Sequence, residues 1–325
     1  MLRRVFDTRA ESPLANVDLR TDEAGQPYSR DAAFAYCERV ARSHAESFPI
    51  ASRFVPAPLR PYLWAVYAFA RTADDFADEK QYAGIRASAL SSWEQELERA
   101  FHGEAQHPVF VALQATIDER KLPVQPFRDL MTGFSMDLSV NQYPTWQALQ
   151  SYLQHASHPL GRLMLYIFDY RDPSLHRFSD DLCSALQMAN FLRDVGADLA
   201  NDRIYLPEED LCHFGLGADA LHARAATPAF VDLMRYEIAR TRAMFERGRP
   251  LLEKVGPELG FELSMIYCAG EAILDKIESV GYDVFSRRPQ LNAADKARSV
   301  ARAATLRWPR WSTRTPPSRA SHKGA

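Results

Sequence analysis

Apolar residues recur along this chain at helical spacing, and no convincing run alternates apolar with polar, which predicts an all-α protein. The pattern predicts helices over 30–46, 57–80, 82–103, 107–118, 124–138, 145–155, 159–169, 178–200, 208–214, 228–253, 258–282 and 291–304. Prolines at 56, 58, 123, 144, 159, 173, 207 and 250 punctuate them. No low-complexity linker divides the body and no fixed-period repeat is apparent. The expectation is one helical domain over 28–304, with an N-terminal extension over 1–27 and a basic, disordered tail over 305–325.

Two of these helices break the usual amphipathic pattern. In "PYLWAVYAFARTADDFADE" an apolar helix ends in a stretch with five charges in ten residues (70–79). At about 100° per residue, Tyr67, Arg71, Asp74 and Asp78 share a stripe roughly 60° wide. Leu63, Trp64, Val66, Phe69 and Phe76 cover the other faces. A surface helix would show a broad polar face instead. The same object returns in "LQMANFLRDVGADLANDRIYLP". There Asp194 and Asp198 are again four apart, with Gln187 and Asn190 within about 80° of them. Leu186, Phe191, Leu192, Val195 and Leu199 form the apolar side.

Composition adds bounds. The chain has 325 residues, 46% hydrophobic and 25% charged, which is enough length for a large core. No apolar run reaches the length of a membrane-spanning helix. The N-terminal twenty residues lack the apolar core of a secretory signal. Cys37, Cys183, Cys212 and Cys268 are scattered, with no CxxC, and read as reduced thiols of a cytoplasmic protein. From Lys296 to Ala325 there are two Lys, six Arg and no acid, so that segment carries +8 and, with the whole chain at −3, the rest carries −11. An acidic body without a basic stripe argues against nucleic acid. Basic residues beside Trp308 and Trp311 suit an anionic membrane surface at the inner face of the membrane. The other reading of the segment is a merely soluble end.

Each acidic pair repels itself on an isolated helix by a few tenths of a kcal/mol. Cations relieve that repulsion, and all-oxygen donors suit a hard cation. Mg²⁺ takes one or two carboxylates and leaves its other positions to water and phosphate. Two facing Asp pairs therefore suggest a clamp for diphosphate–Mg²⁺, with Arg71, Arg193 and Arg203 suited to neutralise further phosphate oxygens by bidentate hydrogen bonds. The plainer reading of Arg193 and Arg203 is local ion pairing with nearby Asp. Metal bound to a diphosphate makes it a better leaving group. An apolar pocket would keep water from the carbocation left behind. Tyr67, Phe48, Phe69 and Tyr152 are available for its walls, and each also reads as plain core. On this argument Asp74→Asn or Asp194→Asn abolishes turnover and leaves the fold intact or more stable.

"YAFARTADDFADE" and "LQMANFLRDVGADLANDRIYLP" resemble the two signatures of the squalene/phytoene synthase family, which joins two prenyl diphosphates head to head. "SHAESFPIASRFVP" resembles the family's opening segment and "MTGFSMDLSVNQYPTWQALQSY" its central helices, so the resemblance covers about 30–300. It implies an all-α isoprenoid-synthase fold around a central cavity. Asp74, Asp78, Asp194 and Asp198 would hold Mg²⁺–diphosphate, with Mn²⁺ as a substitute metal. Tyr67, Arg71, Gln187, Asn190, Arg193, Arg203 and Tyr205 would line the diphosphate and cation region. Ser47 and Phe48 match the opening segment, and Tyr152 and Tyr267 align with pocket tyrosines. The implied chemistry is ionisation of one diphosphate, cyclopropyl diphosphate formation, a second ionisation, and rearrangement ended by hydride, proton loss or water.

"ESFPIAS", "HASHPLGRL" (155–163) and "ILDKIESVGYDVFSRRP" are most similar to the bacterial hopanoid-pathway branch, which converts presqualene diphosphate to hydroxysqualene. That branch quenches with water, so NADPH is not expected, and other enzymes of hopanoid synthesis are implied as partners. Arg193 departs from it, because the branch has Gln there. "FLRDVGADLANDR" reads like the general pattern of synthases that condense two farnesyl or geranylgeranyl diphosphates. A head-to-tail elongator, a terpene cyclase and a non-catalytic assembly factor are further alternatives. The ending 201–207 disfavours the first two and the four intact Asp disfavour the third. "GLGADA" (215–220) follows no strand and is no dinucleotide fingerprint. His155 and His158 are read as structural.

A polybasic segment gains roughly 1 kcal/mol per basic residue near an anionic surface. Deleting 306–325 should weaken binding to anionic vesicles at low salt, and unchanged binding would make the segment a soluble end.

Overall fold

The helical periodicity is realised throughout a computed structural model of the chain, in which residues 19–22, 25–43 and 55–311 are described (at 218 and 307–311 the backbone alone). The helices are α1 (Arg30–Ser43), α2 (Arg60–Asp78), α3 (Arg86–Phe101), α4 (Pro108–Arg120), α5 (Gln125–Met136), α6 (Trp146–Ala156) and α7 (His158–Ile167). They continue as α8 (Pro173–Leu199), α9 (Glu208–His213), α10 (Ala218–His222), α11 (Pro228–Gly248), α12 (Pro250–Lys254), α13 (Pro257–Ser279) and α14 (Ala293–Trp311). Among the described residues there is no strand, only the isolated bridges Thr21–Pro27 and Gln142–Ile204. The fold is all-α, as the sequence predicts.

Two helices organise the rest. Helix α2 is buried on nearly every face from Leu63 to Ala77, as befits a helix apolar almost all round. It packs against α1, α3, α4 and α5. On its far side Trp93 meets Phe69, Phe76 and Phe110, and its indole N–H donates to the Phe69 carbonyl at 3.2 Å. Phe69 is therefore plain core. Helix α8, 27 residues long, packs against α7, α11 and α13. It starts five residues before the predicted 178. Asp172 caps it, accepting from the Ser174 N–H at 2.8 Å, and Pro173 occupies the first turn, where its missing donor costs nothing.

Other boundaries differ for local reasons. The predicted 228–253 helix breaks at Arg249, because Pro250 has no N–H to continue the ladder. Asn292 and Asp295 cap α14 reciprocally, each side chain accepting from the other's backbone N–H at 2.9 and 3.0 Å. That helix runs to Trp311 rather than to 304. A tail deletion that spares it starts at 312, and 312–325 lie outside the described residues.

The backbones of α11 and α8 come close together at Gly248. A Cβ there would meet the Leu182 backbone N at 2.8 Å and the Phe178 carbonyl at 3.0 Å. Backbone cannot step aside as a flexible side chain can. Gly248→Ala should destabilise by about 1–3 kcal/mol, the usual cost of overpacking, read as a fall in Tm. An unchanged Tm would show that the two helices are not held at this distance.

Candidate active site

The acidic ends of α2 and α8 are tied together through Arg203. The chain that leaves α8 turns at Asn201–Asp202 and returns Arg203 toward α2. Arg203 Nη1 donates to Asp78 Oδ1 at 2.8 Å, and its Nη2 to the Asp137 carbonyl at 3.2 Å. Its own backbone N–H donates to the Asp198 carbonyl at 3.0 Å. One residue thus joins both acidic helices and the end of α5. Asp194 is gripped by two guanidiniums. Arg193 donates from Nε and Nη2 at 2.8 Å each, and Arg288 from the same atoms at 2.7 and 2.9 Å. Burial opposes ionisation of Asp194 most strongly, but the two arginines outweigh it and hold the carboxyl below its ordinary range. On α2, Arg71 is fully buried and lies 2.8 Å from Asp75 and 3.7 Å from Asp74.

The segments 137–145 and 201–209 run side by side. Ile204 N–H donates to Asn141 O at 2.7 Å and Glu208 N–H to Tyr143 O at 2.9 Å. At the site end of this pairing, Asp137 Oδ1 accepts from Tyr152 at 2.7 Å and from Tyr205 at 3.3 Å. Tyr205 stacks on Phe191 with centroids 3.9 Å apart, and Tyr143 joins the cluster. Tyr67, Gln187 and Asn190 are buried on the same two helices.

Gln187 stands where the polar site ends. Its amide O and N have no hydrogen-bond partner among the described residues, although the side chain is buried. It lines a cavity of about 130 Å³ whose walls are mostly apolar, including Leu160, Met164, Leu186, Leu251 and Leu263, with Ser157 and Ser179 the other polar side chains. The segment 155–163 borders that cavity through Ala156, Ser157, Leu160 and Gly161. A Cβ on Gly161 would fall on Ser179 Oγ and Cys183 Sγ, so a larger residue there would push both side chains of α8 aside. His158 donates to or accepts from Ser184 at 2.7 Å, and burial lowers its basicity, so it fastens α7 to α8 as a neutral ring.

The structure therefore brings together Asp78, Asp198, Arg203, Tyr205 and Tyr152, and places Asp194 with Arg193. Tyr267 is held elsewhere, donating to Glu246 on α11 at 2.9 Å. Ser47 and Phe48 lie outside the described residues. Sequence reasoning missed Asp137, which stands inside the quoted "MTGFSMDLSVNQ", and Arg288, inside "FSRRP". Neither has a local periodic signal, because each reaches its partner across the fold.

A model of the family described as squalene/phytoene synthase matches residues 41–295. The chain belongs to the squalene/phytoene synthase family. It is accordingly a prenyltransferase-type enzyme of head-to-head isoprenoid synthesis, acting on prenyl diphosphates. It is similar to a phytoene synthase of Arthrospira platensis, with 30% identity over 81% of this chain and 89% of that one. Its fold matches the crystal structure of squalene synthase HpnC from Alicyclobacillus acidocaldarius with TM-score 0.75 and 43% identity, over 78% of this chain and 95% of that one. A dehydrosqualene synthase solved in complex with a ligand matches at TM-score 0.79 and 25% identity, over 85% and 97%.

The family implies a divalent metal. Among the described residues no three His, Cys, Asp or Glu side chains converge to hold an ion by themselves. The donor set is nevertheless all oxygen, on two helices tied by Arg203. That fits a Mg²⁺ ion shared with a diphosphate, where the protein supplies one or two carboxylates, and not a bare-ion site.

The expectation that Asp194→Asn is neutral or stabilising is overturned for this residue. The carboxylate neutralises a guanidinium that is itself buried (Arg193, 4% exposed). Removing one partner of a buried pair costs about 3–5 kcal/mol. Asp194→Asn should lower Tm markedly at neutral pH. Because the folded-state pKa is depressed, the contribution is complete above the unfolded value near 3.8 and is lost as pH falls through the lower native one. The gap between wild type and variant should therefore close in acid, and a gap that persists there would contradict the ion pairing.

Proposed function

We propose that this enzyme converts presqualene diphosphate to hydroxysqualene with Mg²⁺ and without NADPH. The observation that carries the branch is the 43% identity to the squalene synthase HpnC over 78% of the chain, against 25–30% to the dehydrosqualene and phytoene synthases named above. The geometry supports the same reading, because the branch-like segment 155–163 borders the apolar cavity.

Asp74, Asp78, Asp194 and Asp198 are the residues to hold Mg²⁺–diphosphate. The metal would supply Lewis-acid neutralisation of the leaving group. Arg193, Arg203 and Arg288 would exchange carboxylate partners for phosphate oxygens, for which their planar forks are suited. The prenyl chains would lie against the leucines of the cavity, which exclude water from the cation. Gln187 would present its unpaired amide between the two regions, its carbonyl dipole available to a developing positive charge.

A second reading, a complete synthase condensing two farnesyl or geranylgeranyl diphosphates, is favoured by Arg193 and by the 30% identity to a phytoene synthase. Product analysis separates them. Presqualene diphosphate plus Mg²⁺ should give hydroxysqualene without NADPH, with oxygen-18 from labelled water in the hydroxyl, and farnesyl diphosphate alone should react far more slowly. A hydrocarbon formed from two prenyl diphosphates at a comparable rate would establish the second reading.

A further inference from the structure

At the far ends of the paired segments 137–145 and 201–209, a second charged cluster is built into the fold. Arg240 on α11 donates to both oxygens of Asp210 on α9, at 2.7 and 3.1 Å. It also donates to both oxygens of Glu237 one turn earlier, at 3.0 and 3.1 Å. Its guanidinium lies 4.5 Å from the Trp146 ring centroid and 4.7 Å from that of Tyr236, and its Nη2 donates to the Tyr236 hydroxyl at 2.9 Å. Trp146 opens α6, and its backbone N–H donates to Glu209 of α9 at 2.6 Å.

Asp210 follows directly on the segment that carries Arg203 and Tyr205. Trp146 follows directly on the segment that begins at Asp137. Arg240 therefore seizes the far ends of both, and the bonds from Ile204 to Asn141 and from Glu208 to Tyr143 transmit that hold toward the site. A planar guanidinium can bond two carboxylates in its plane while stacking on rings above and below it. A lysine would keep the charge and lose that geometry.

We propose that Arg240 is a positioning residue, which holds the two segments in register so that Asp137, Arg203 and Tyr205 meet Asp78 at the diphosphate site. The inference rests on the site reading above for its effect on turnover, and not for its effect on the segments themselves.

Glu237 makes the hold sensitive to pH. It is fully buried, and burial, followed by the charge of Asp210 against the opposing pull of Arg240, pushes its carboxyl up to about 8. Asp210 from α9 and Arg240 from its own helix are the charged groups that set this ionisation, with Tyr236 beside them. On α8, which packs along α11, Asp194 is paired with both Arg193 and Arg288. Glu209 is turned to Trp146, and His213 lies against Phe214 at the exposed end of α9. At neutral pH the protonated Glu237 leaves one carboxylate to one guanidinium. Above about 8 its proton is lost and two carboxylates face one cation, an excess of buried negative charge that loosens α9 from α11.

The test combines steady-state kinetics with amide hydrogen exchange on the full chain. Arg240→Gln should lower kcat roughly 10- to 100-fold, the scale of a misplaced reacting group, with KM little changed. The Ile204 and Glu208 amides should lose protection while those of α2 keep theirs. Arg240→Lys should recover little. Glu237→Gln, which fixes the protonated shape, should keep neutral activity and remove the loss of Ile204 and Glu208 protection that wild type shows between pH 7 and 9. Should Arg240→Gln fail to fold, Glu237→Gln and Asp210→Asn carry the same readouts. Unchanged protection and kcat in a folded Arg240→Gln would overturn the proposal. So would a wild-type protection that does not respond to pH. Lost protection with an unchanged kcat would retain the clasp and count against the assignment of Asp137, Arg203 and Tyr205 to the site.

Discussion

The Arg203–Asp78 ion pair is the constraint on which the arrangement depends. It joins residues 125 positions apart, both largely removed from water. A carboxylate in such a place is costly unless it is paired and hydrogen-bonded. The same demand is met at Asp194 by Arg193 and Arg288, and at Asp75 by Arg71. On the function proposed above, guanidinium groups thus stand where a metal and a diphosphate would share the charge. The acidic helices can be core helices because their charges arrive with partners.

Helix α8 links that polar region to an apolar one within three turns. Leu182, Cys183 and Leu186 face the cavity, Gln187 stands at its edge, and Asn190 and Asp194 continue the stripe toward the acidic residues. A prenyl diphosphate has the same division, a charged head on a hydrocarbon chain. The helix is therefore matched along its length to the two ends of such a molecule. Gly161 and Gly248 let α7 and α11 come close enough to close the walls.

Periodicity made the helices and the two polar stripes legible, since a residue's face is a local property of sequence. Asp74, Asp78, Gln187, Asn190, Asp194 and Asp198 were readable for that reason. Asp137, Arg288 and Arg240 were not. Each has a partner at least 30 residues away, and nothing in its own neighbourhood marks that contact. The boundary errors are of another kind. Asp172–Pro173 is a helix start and Arg249–Pro250 a break, and both signals were present in the sequence but outweighed by the apolar pattern around them. Tyr267 shows the converse limit, because a tyrosine at a plausible position spends its hydroxyl on Glu246.

On the proposed function, the guanidinium groups hold the carboxylates until ligand takes over both. A double-mutant cycle on Asp78→Asn and Arg203→Gln, measured by denaturant unfolding, tests this directly. Without ligand the coupling should be about 0.5–3 kcal/mol, the range for contacting residues. In the presence of Mg²⁺ and inorganic diphosphate it should fall toward zero as each side chain changes partner. Additive effects without ligand, or a coupling that Mg²⁺ and diphosphate leave untouched, would contradict it.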